Sequence, residues 1–344
     1  MASADVSAVT MPPAARRASR CGRMWYSFAP VWSQDVIEPR EQQQALATLQ
    51  TPCDCLRWGE SALRRAGVYL GHGTDDHGDE CLALLLHVLA LPLDTDPRML
   101  DARLLPDEID RFVGLLARRA NERVPVAYLT GQAWFCGLPF FVDERVLIPR
   151  SPLAELIEAG FQPWLAPERV GRVLDLCTGS GCIAIACAHA LPDARVDASD
   201  ISEQALAVCR RNIEEHGLGD RVTAVQADGL EGLDGPYDLI ISNPPYVDAE
   251  DLAAMPDEYR HEPELALASG HDGLDFTRRL LAGAAERLSE DGVLIVEVGN
   301  SDRHMAALWP DVPFMWFEFE RGGQGVFMLD RRQLLEFRDQ FIAA

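Results

Sequence analysis

The chain reads as an α/β protein, a doubly wound parallel sheet preceded by a small helical domain. Three observations predict this. From residue 172 onward short apolar runs alternate with helical stretches, the pattern of parallel strands joined by crossover helices. One run, Arg172–Leu176, ends in the turn Asp175-Leu176-Cys177-Thr178-Gly179-Ser180-Gly181. Another, Tyr237–Ser242, runs straight into Asn243-Pro244-Pro245-Tyr246. Consecutive prolines cannot continue a central strand, because each lacks a ladder N–H and fixes its own φ. That strand therefore stops at Ser242, and a rigid rim follows at its carboxyl end, where open α/β sheets bind ligands.

At 344 residues, 48% hydrophobic and 25% charged, the chain has the length and composition of a two-domain globular protein. Residues 1–40 are expected to be a detached extension. They carry Arg16, Arg17, Arg20 and Arg23 with almost no acid before Asp35. Such a start has the composition of a transit peptide, a disordered tail, or a stretch preceding a true initiator at Met24. Residues 41–121 show helical periodicity: Leu46, Leu49, Cys53 and Leu56, then an apolar helix over 79–90 ended by Pro92, then one opened by Pro106. Nothing in this region looks catalytic, which leaves packing or substrate recognition as its role. Residues 122–150 change character. Trp134, Phe135, Phe140 and Phe141 flank Gly137-Leu138-Pro139 and predict a hairpin, the expected connector to a catalytic domain over 151–344. There the expected strands are Arg172–Leu176, 195–199, Val222–Gln226, Tyr237–Ser242 and 293–298, closed by an antiparallel hairpin over 314–320 and 325–329.

Charge narrows the function. The net charge is −23 and every one of the 31 basic residues is arginine, so lysine nucleophiles, Schiff bases and a P-loop lysine are excluded. An acidic chain repels nucleic-acid phosphates and attracts a basic partner. No apolar run reaches the roughly 18 residues a membrane helix needs; the longest, residues 81–91, includes His87. Nine cysteines without a pairing framework point to a reducing, cytoplasmic setting. No metal site is expected: Cys53 and Cys55 have no second pair, and the acidic, histidine-bearing stretch from His72 to Glu80 reads as a solvated loop.

The glycine turn matches G-x-G-x-x-G/A through Gly179, Gly181 and Ala184, with Asp200 at about the 20-residue offset of a ribose-binding acid. That pattern alone does not separate a nicotinamide from an adenosyl cofactor. The rest of the edge does. Successive strands end near Asp175, Asp200, Asp228 and Asn243. Acids there repel a pyrophosphate and suit the cationic S-adenosylmethionine. In this assignment Asp175, Thr178, Gly179 and Gly181 face its methionine part, Asp200 the ribose and Asp228 the adenine amino group. Asn243 and the Pro244 carbonyl are acceptors matched to a planar –NH2 group, with Tyr246 a flat wall beside it.

With these motifs the sequence resembles the bacterial protein-glutamine N(5)-methyltransferases, which are class I, Rossmann-like, seven-stranded S-adenosylmethionine-dependent enzymes with a helical N-terminal domain. Asn-Pro-Pro-Tyr is shared with adenine-amino methyltransferases. Longer stretches narrow the choice: Arg123 to Thr130, Trp134-Phe135-Cys136-Gly137, Val146 to Pro152, Tyr246 to Asp251, Glu258 to Glu264 and Asp272-Gly273-Leu274. They look like the branch that modifies large-subunit ribosomal protein three. The release-factor branch has Arg-Pro-Glu-Thr where this chain has Arg150-Ser151-Pro152-Leu153. The resemblance runs from residue 45 to 330. It implies that Asn243 and Pro244 hold a glutamine amide, that Asp175, Gly179, Asp200 and Asp228 bind the cofactor with Phe135 and Asn243 also in contact with it, and that Phe135 and Tyr246 wall the transferring methyl. It also implies a basic ribosomal protein as partner, with neither nucleic acid nor membrane. Asp200 stands where the family often has Glu, a shorter reach to the ribose. The competing readings are a release-factor methyltransferase, an adenine-amino nucleic-acid methyltransferase, a nicotinamide oxidoreductase that leaves Asn-Pro-Pro-Tyr without a role, and a non-catalytic ribosome-assembly module.

Overall fold

The computed structural model describes residues 36–344, so the expectations for the arginine-rich start lie outside the described residues. The detached stretch expected over 1–40 does not include Ile37, which is buried and bonds the Asn121 side chain through its backbone N–H and carbonyl.

Four helices follow: α1 (Pro39–Thr48), α2 (Pro52–Arg65), α3 (His77–Leu89) and α4 (Pro106–Asn121). Their starts are written in the sequence. Thr51 and Asp54 form a capping box ahead of α2, Asp76 caps α3, and proline occupies the first turn of α2 and α4. Cys55, Leu63, Leu84, Leu85, Phe112 and Leu116 fill the core between them. The stretch from His72 to Glu80 is a solvated loop only in its middle, where Gly73, Asp75 and Asp76 are exposed; α3 takes up residues 77–80, and the side chains at the two ends are buried. Its first histidine is buried, and Glu80 is buried on Arg119 of α4, with contacts of 2.9 and 3.0 Å. The counter-charge lies far along the chain, and it draws this acid inward.

A short helix α5 (Val126–Thr130) leads into the hairpin β1 (Gln132–Phe135) and β2 (Leu138–Phe141), and α6 (Leu153–Glu158) precedes the main sheet. The sheet then builds as β3 (Arg172–Leu176), α7 (Cys182–Ala190), β4 (Arg195–Asp200), α8 (Glu203–Glu215), β5 (Val222–Gln226) and β6 (Tyr237–Ser242). It finishes with α9 (Ala249–Ala254), α10 (Asp275–Gly283), β7 (Leu288–Glu297), α11 (Asp302–Leu308), β8 (Met315–Trp316) and β9 (Val326–Asp330). Strand order is β5-β4-β3-β6-β7-β9-β8, parallel through β7 and antiparallel in the last two. β7 begins five residues earlier than expected, and β8 is shorter than the 314–320 run.

Alternate residues of each central strand feed two cores. Val173, Leu239, Ile241 and Ile295 pack on one face with Ile183 and Cys187 of α7. Leu174, Ile240, Leu294 and Val296 pack on the other with Leu280 and Leu281 of α10. The chain winds outward from β3 to β5, then returns to β6 on the other side of β3. That reversal opens a crevice at the carboxyl ends of β3 and β6. Leu176 and Ser242 are register partners there, and the Ser242 hydroxyl donates to the Leu176 carbonyl at 2.8 Å. The two motifs read from the sequence thus leave adjacent strands side by side.

Candidate active site

The glycine turn is built on Asp175. Its carboxylate is fully buried and accepts from the Thr178 hydroxyl at 2.5 Å and the Ala184 N–H at 3.0 Å, both through Oδ2. Oδ1 is buried without a partner. Burial pushes the carboxyl up to about 7, the two hydrogen bonds pulling the other way. Gly179 has φ +54°, and nothing lies within 4 Å of the place its Cβ would occupy, so the loop is open on that side. Its N–H donates to Asp200 Oδ2 at 3.0 Å, while Asp200 Oδ1 accepts from the Ser202 N–H at 2.9 Å. Asp200 is thus fixed at the crevice, and burial raises its pKa. Gly181 serves a different purpose. At φ +82° it caps α7, and a Cβ there would lie 2.7 Å from Cys209 Sγ. Its hydrogen is needed for packing α7 on α8.

The crevice is a cleft walled by Thr178, Gly179, Asp200, Asp228 and Asn243 from the expected set, with Pro149, Arg150, Ser151, Leu265 and Arg279 completing it. Asp228 is paired with Arg279 at 2.6 Å, both about half exposed. An exposed pair of this kind is weak and exchangeable. Asn243 presents Oδ1 as a buried acceptor with no partner. Buried polar atoms are nearly always satisfied, so this one marks a position for a ligand's donor.

Five expected residues do not wall this cleft. Asp175 and Gly181 lie beneath the loop and shape it. Tyr246 turns its hydroxyl onto Glu297 Oε1 at 2.8 Å, and its ring packs so close to Gly299 that a Cβ there would come within 2.6 Å. Phe135 is buried and faces a second, more open cleft with Trp134, Glu155, Glu158 and Arg321. Pro149, Arg150 and Ser151 are common to both clefts, so Phe135 is one wall removed from the donor cleft. Pro244 is absent from that wall too, and its neighbour Pro245 lines it instead.

Sequence reasoning missed Glu297, Ser151, Glu262, Arg279 and Asn212. Glu297 is buried and accepts from both Tyr246 and the Ser151 hydroxyl. Asn212 of α8 joins the hairpin to the glycine loop: it bonds the Phe141 N–H and carbonyl at 2.8 and 3.0 Å and donates to the Ser180 carbonyl at 2.8 Å. Ser151 and Glu262 lie inside stretches that carry the resemblance, whereas Glu297, Arg279 and Asn212 sit in no local motif; the partners of all five emerge only from the three-dimensional packing.

The residues present fit a cationic adenosyl donor. The loop is open at Gly179, Asp200 is held with its carboxylate at the cleft, and a buried acceptor stands opposite at Asn243.

Comparison with known proteins agrees with this geometry. The family model described as methyltransferase small domain matches residues 161–256, a span that includes both sheet-edge motifs. A ribosomal protein uL3 glutamine methyltransferase of Neisseria gonorrhoeae is 51% identical over 293 residues, covering 85% of this chain and 98% of the relative. One of the same name from Neisseria meningitidis serogroup B is 50% identical over 293 residues, 85% and 97% of the two chains. Identity at that level across nearly the whole length of both relatives places the chain in the ribosomal protein uL3 glutamine methyltransferase family.

Proposed function

We propose that this enzyme methylates the side-chain amide nitrogen of a glutamine in ribosomal protein uL3, using S-adenosylmethionine and supporting large-subunit assembly. The observation that carries the reading is the buried, unpartnered Asn243 Oδ1 at the donor cleft, beside the Gly179 loop. An amide –NH2 is the donor it suits.

An amide nitrogen is a poor nucleophile because its lone pair is delocalised into the carbonyl, the resonance that keeps peptide groups planar. Asn243 Oδ1 and the Pro244 carbonyl accept its two hydrogens and turn the nitrogen toward the cleft. These hydrogen bonds strengthen as the nitrogen gains positive charge. Orientation of this kind supplies up to about 7–11 kcal/mol of a barrier. When bound, the donor supplies an electrophilic methyl on a sulfonium. Thr178, Gly179, Asp200 and Asp228 hold it, with Asp175 shaping the loop from below. The acidified N–H proton then leaves to water, so no strong base is required. Tyr246 acts through Glu297 to keep the rim in place, and Phe135 belongs to the acceptor side.

The helical region over 41–121 recognises the substrate, residues 122–150 connect it, and 151–344 carry the chemistry. The substrate is a basic protein drawn by the enzyme's net charge of −23, and the setting is cytoplasmic. Among the described residues no helix is long and apolar enough to cross a membrane.

The test is methyl transfer from labelled S-adenosylmethionine to unmodified uL3, alone and within immature subunits, followed by peptide mass mapping. A single methyl on one glutamine is the expected result. Label on a release factor or on nucleic acid instead would overturn the substrate.

A further inference from the structure

Arg150 walls the donor cleft, yet its charge is not free there. Its guanidinium makes a two-point pair with Glu262, at 2.6 and 2.7 Å, and the Glu262 side chain is fully buried. Glu262 also accepts from the Ile148 N–H at 3.0 Å and lies 3.5 Å from Nε2 of the buried His72. The Tyr259 ring packs on both partners, 4.6 Å from the His72 ring and 5.3 Å from the Arg150 guanidinium carbon.

Glu262 sits within one continuous strap. Four residues earlier, Glu258 is buried on Arg119 at 3.3 Å and accepts from the Tyr69 N–H at 2.9 Å, which fastens the strap to the helical region. Immediately after Glu262, Pro263, Leu265 and Ala266 form the lip of the donor cleft. Farther on, Leu267 and Ser269 exchange backbone hydrogen bonds with Val247, the residue after Asn-Pro-Pro-Tyr, at 2.8 and 3.1 Å. One stretch therefore touches the helical region, the cleft lip and the amide rim.

We propose that Glu262 is a positioning residue for methyl transfer: it cancels the Arg150 charge at the wall of the donor cleft and pins the strap that forms the cleft's lip. This rests on the assignment of that cleft to S-adenosylmethionine. The donor is a sulfonium, so an uncancelled arginine beside it acts as a like charge. The product, S-adenosylhomocysteine, has lost that charge and is repelled less. Buried arginine left without its partner is costly, whereas removal of both members of a pair is often tolerated.

The experiment measures donor KM, kcat and the inhibition constant of S-adenosylhomocysteine for the full-length chain, Glu262→Gln, and Glu262→Gln with Arg150→Met. In the single variant donor KM is expected to rise by about tenfold, the scale of one added like charge at a partly screened site. The product constant should rise clearly less, and the double variant should regain most of the donor-to-product ratio. Equal weakening of both ligands, no weakening, or no recovery in the double variant would overturn the proposal while leaving the cleft assignment intact. A wild-type chain that binds neither ligand would overturn the assignment itself, and the proposal with it. Should Glu262→Gln fail to fold, amide exchange in the wild-type chain provides the second readout. The Ile148 N–H, which reports directly on Glu262, should exchange more slowly with S-adenosylhomocysteine bound, and an unchanged rate would count against the proposal.

Discussion

The Tyr246 hydroxyl donates to Glu297 Oε1 at 2.8 Å, so the last residue of Asn-Pro-Pro-Tyr is fastened to the end of β7 and is absent from the donor-cleft wall. The Ser151 hydroxyl reaches the other oxygen of the same carboxylate. Glu297 thereby joins the amide rim to the segment that walls both clefts.

Tyr246→Phe removes one of two hydroxyl donors from a buried carboxyl, which should cost about 1–3 kcal/mol. Burial already raises the Glu297 pKa, and the Tyr246 hydroxyl opposes that rise. A raised carboxyl contributes stability below its unfolded pKa and loses it as pH climbs through the folded value. The variant raises the folded value further, so its deficit should grow as pH rises above the ordinary carboxylate range. Thermal melts across pH check this; a pH-independent deficit would show that Glu297 keeps one charge state over the range measured.

Asn243→Ala should leave S-adenosylhomocysteine affinity near wild type and lower kcat by about 10²–10³, the loss seen when one acceptor or donor tuned to a developing charge is removed. Calorimetry and single-turnover rates separate the two effects. Parallel loss of binding and turnover would assign Asn243 to the donor instead of the amide.

Much of this site was legible in the chain because both motifs terminate short apolar runs, and parallel-sheet topology brings such ends to one edge. The buried Asn243 acceptor and the Asp200 position follow from that. What was not legible depends on partners remote in sequence. The direction of Tyr246 is decided by Glu297, the purpose of Gly181 by Cys209 on α8, and the burial of His72 and Glu80 by Glu262 and Arg119. Local pattern records that a glycine or an acid is present. It does not record which atom lies opposite.

Asp175 predicts a pH signature of its own. Its carboxyl is pushed up to about 7 from an ordinary value of 3.8, so its contribution to stability is complete below the latter and fades as pH rises through the former. Asp175→Asn cannot ionise, and asparagine still offers an acceptor to the Ala184 N–H. The variant should therefore gain ground on wild type by roughly a few kcal/mol across that interval. Denaturant midpoints at several pH values measure the difference, and a constant offset would show that Asp175 keeps one charge state throughout.

Association with a basic substrate should slow steeply as salt is added, since steering by a net charge of −23 is screened over a Debye length of about 8 Å at physiological ionic strength. Stopped-flow association rates over a salt series test this. A flat series would remove electrostatic steering from the account.

The two glycines of the loop should fail in different ways. Gly179→Ala meets no atom within 4 Å, so beyond the backbone cost of φ +54° the added methyl points into open space beside the donor cleft. That backbone cost is about 1–2 kcal/mol. Its larger effect should be on S-adenosylhomocysteine affinity, because the loop's close approach to the ligand is what the missing side chain permits. Gly181→Ala bears the same backbone cost at φ +82° and adds a contact of 2.7 Å with Cys209 Sγ. It should destabilise the protein more and change affinity less than the Gly179 variant does. Adding Cys209→Ala removes the sulfur contact but leaves the Cys209 Cα and Cβ 3.5 Å from the new methyl, so recovery should be partial and the backbone strain should persist. Paired melting and binding curves for the three variants check the ranking; if Gly181→Ala proved the one defective in binding, the loop would contact its ligand from the other glycine.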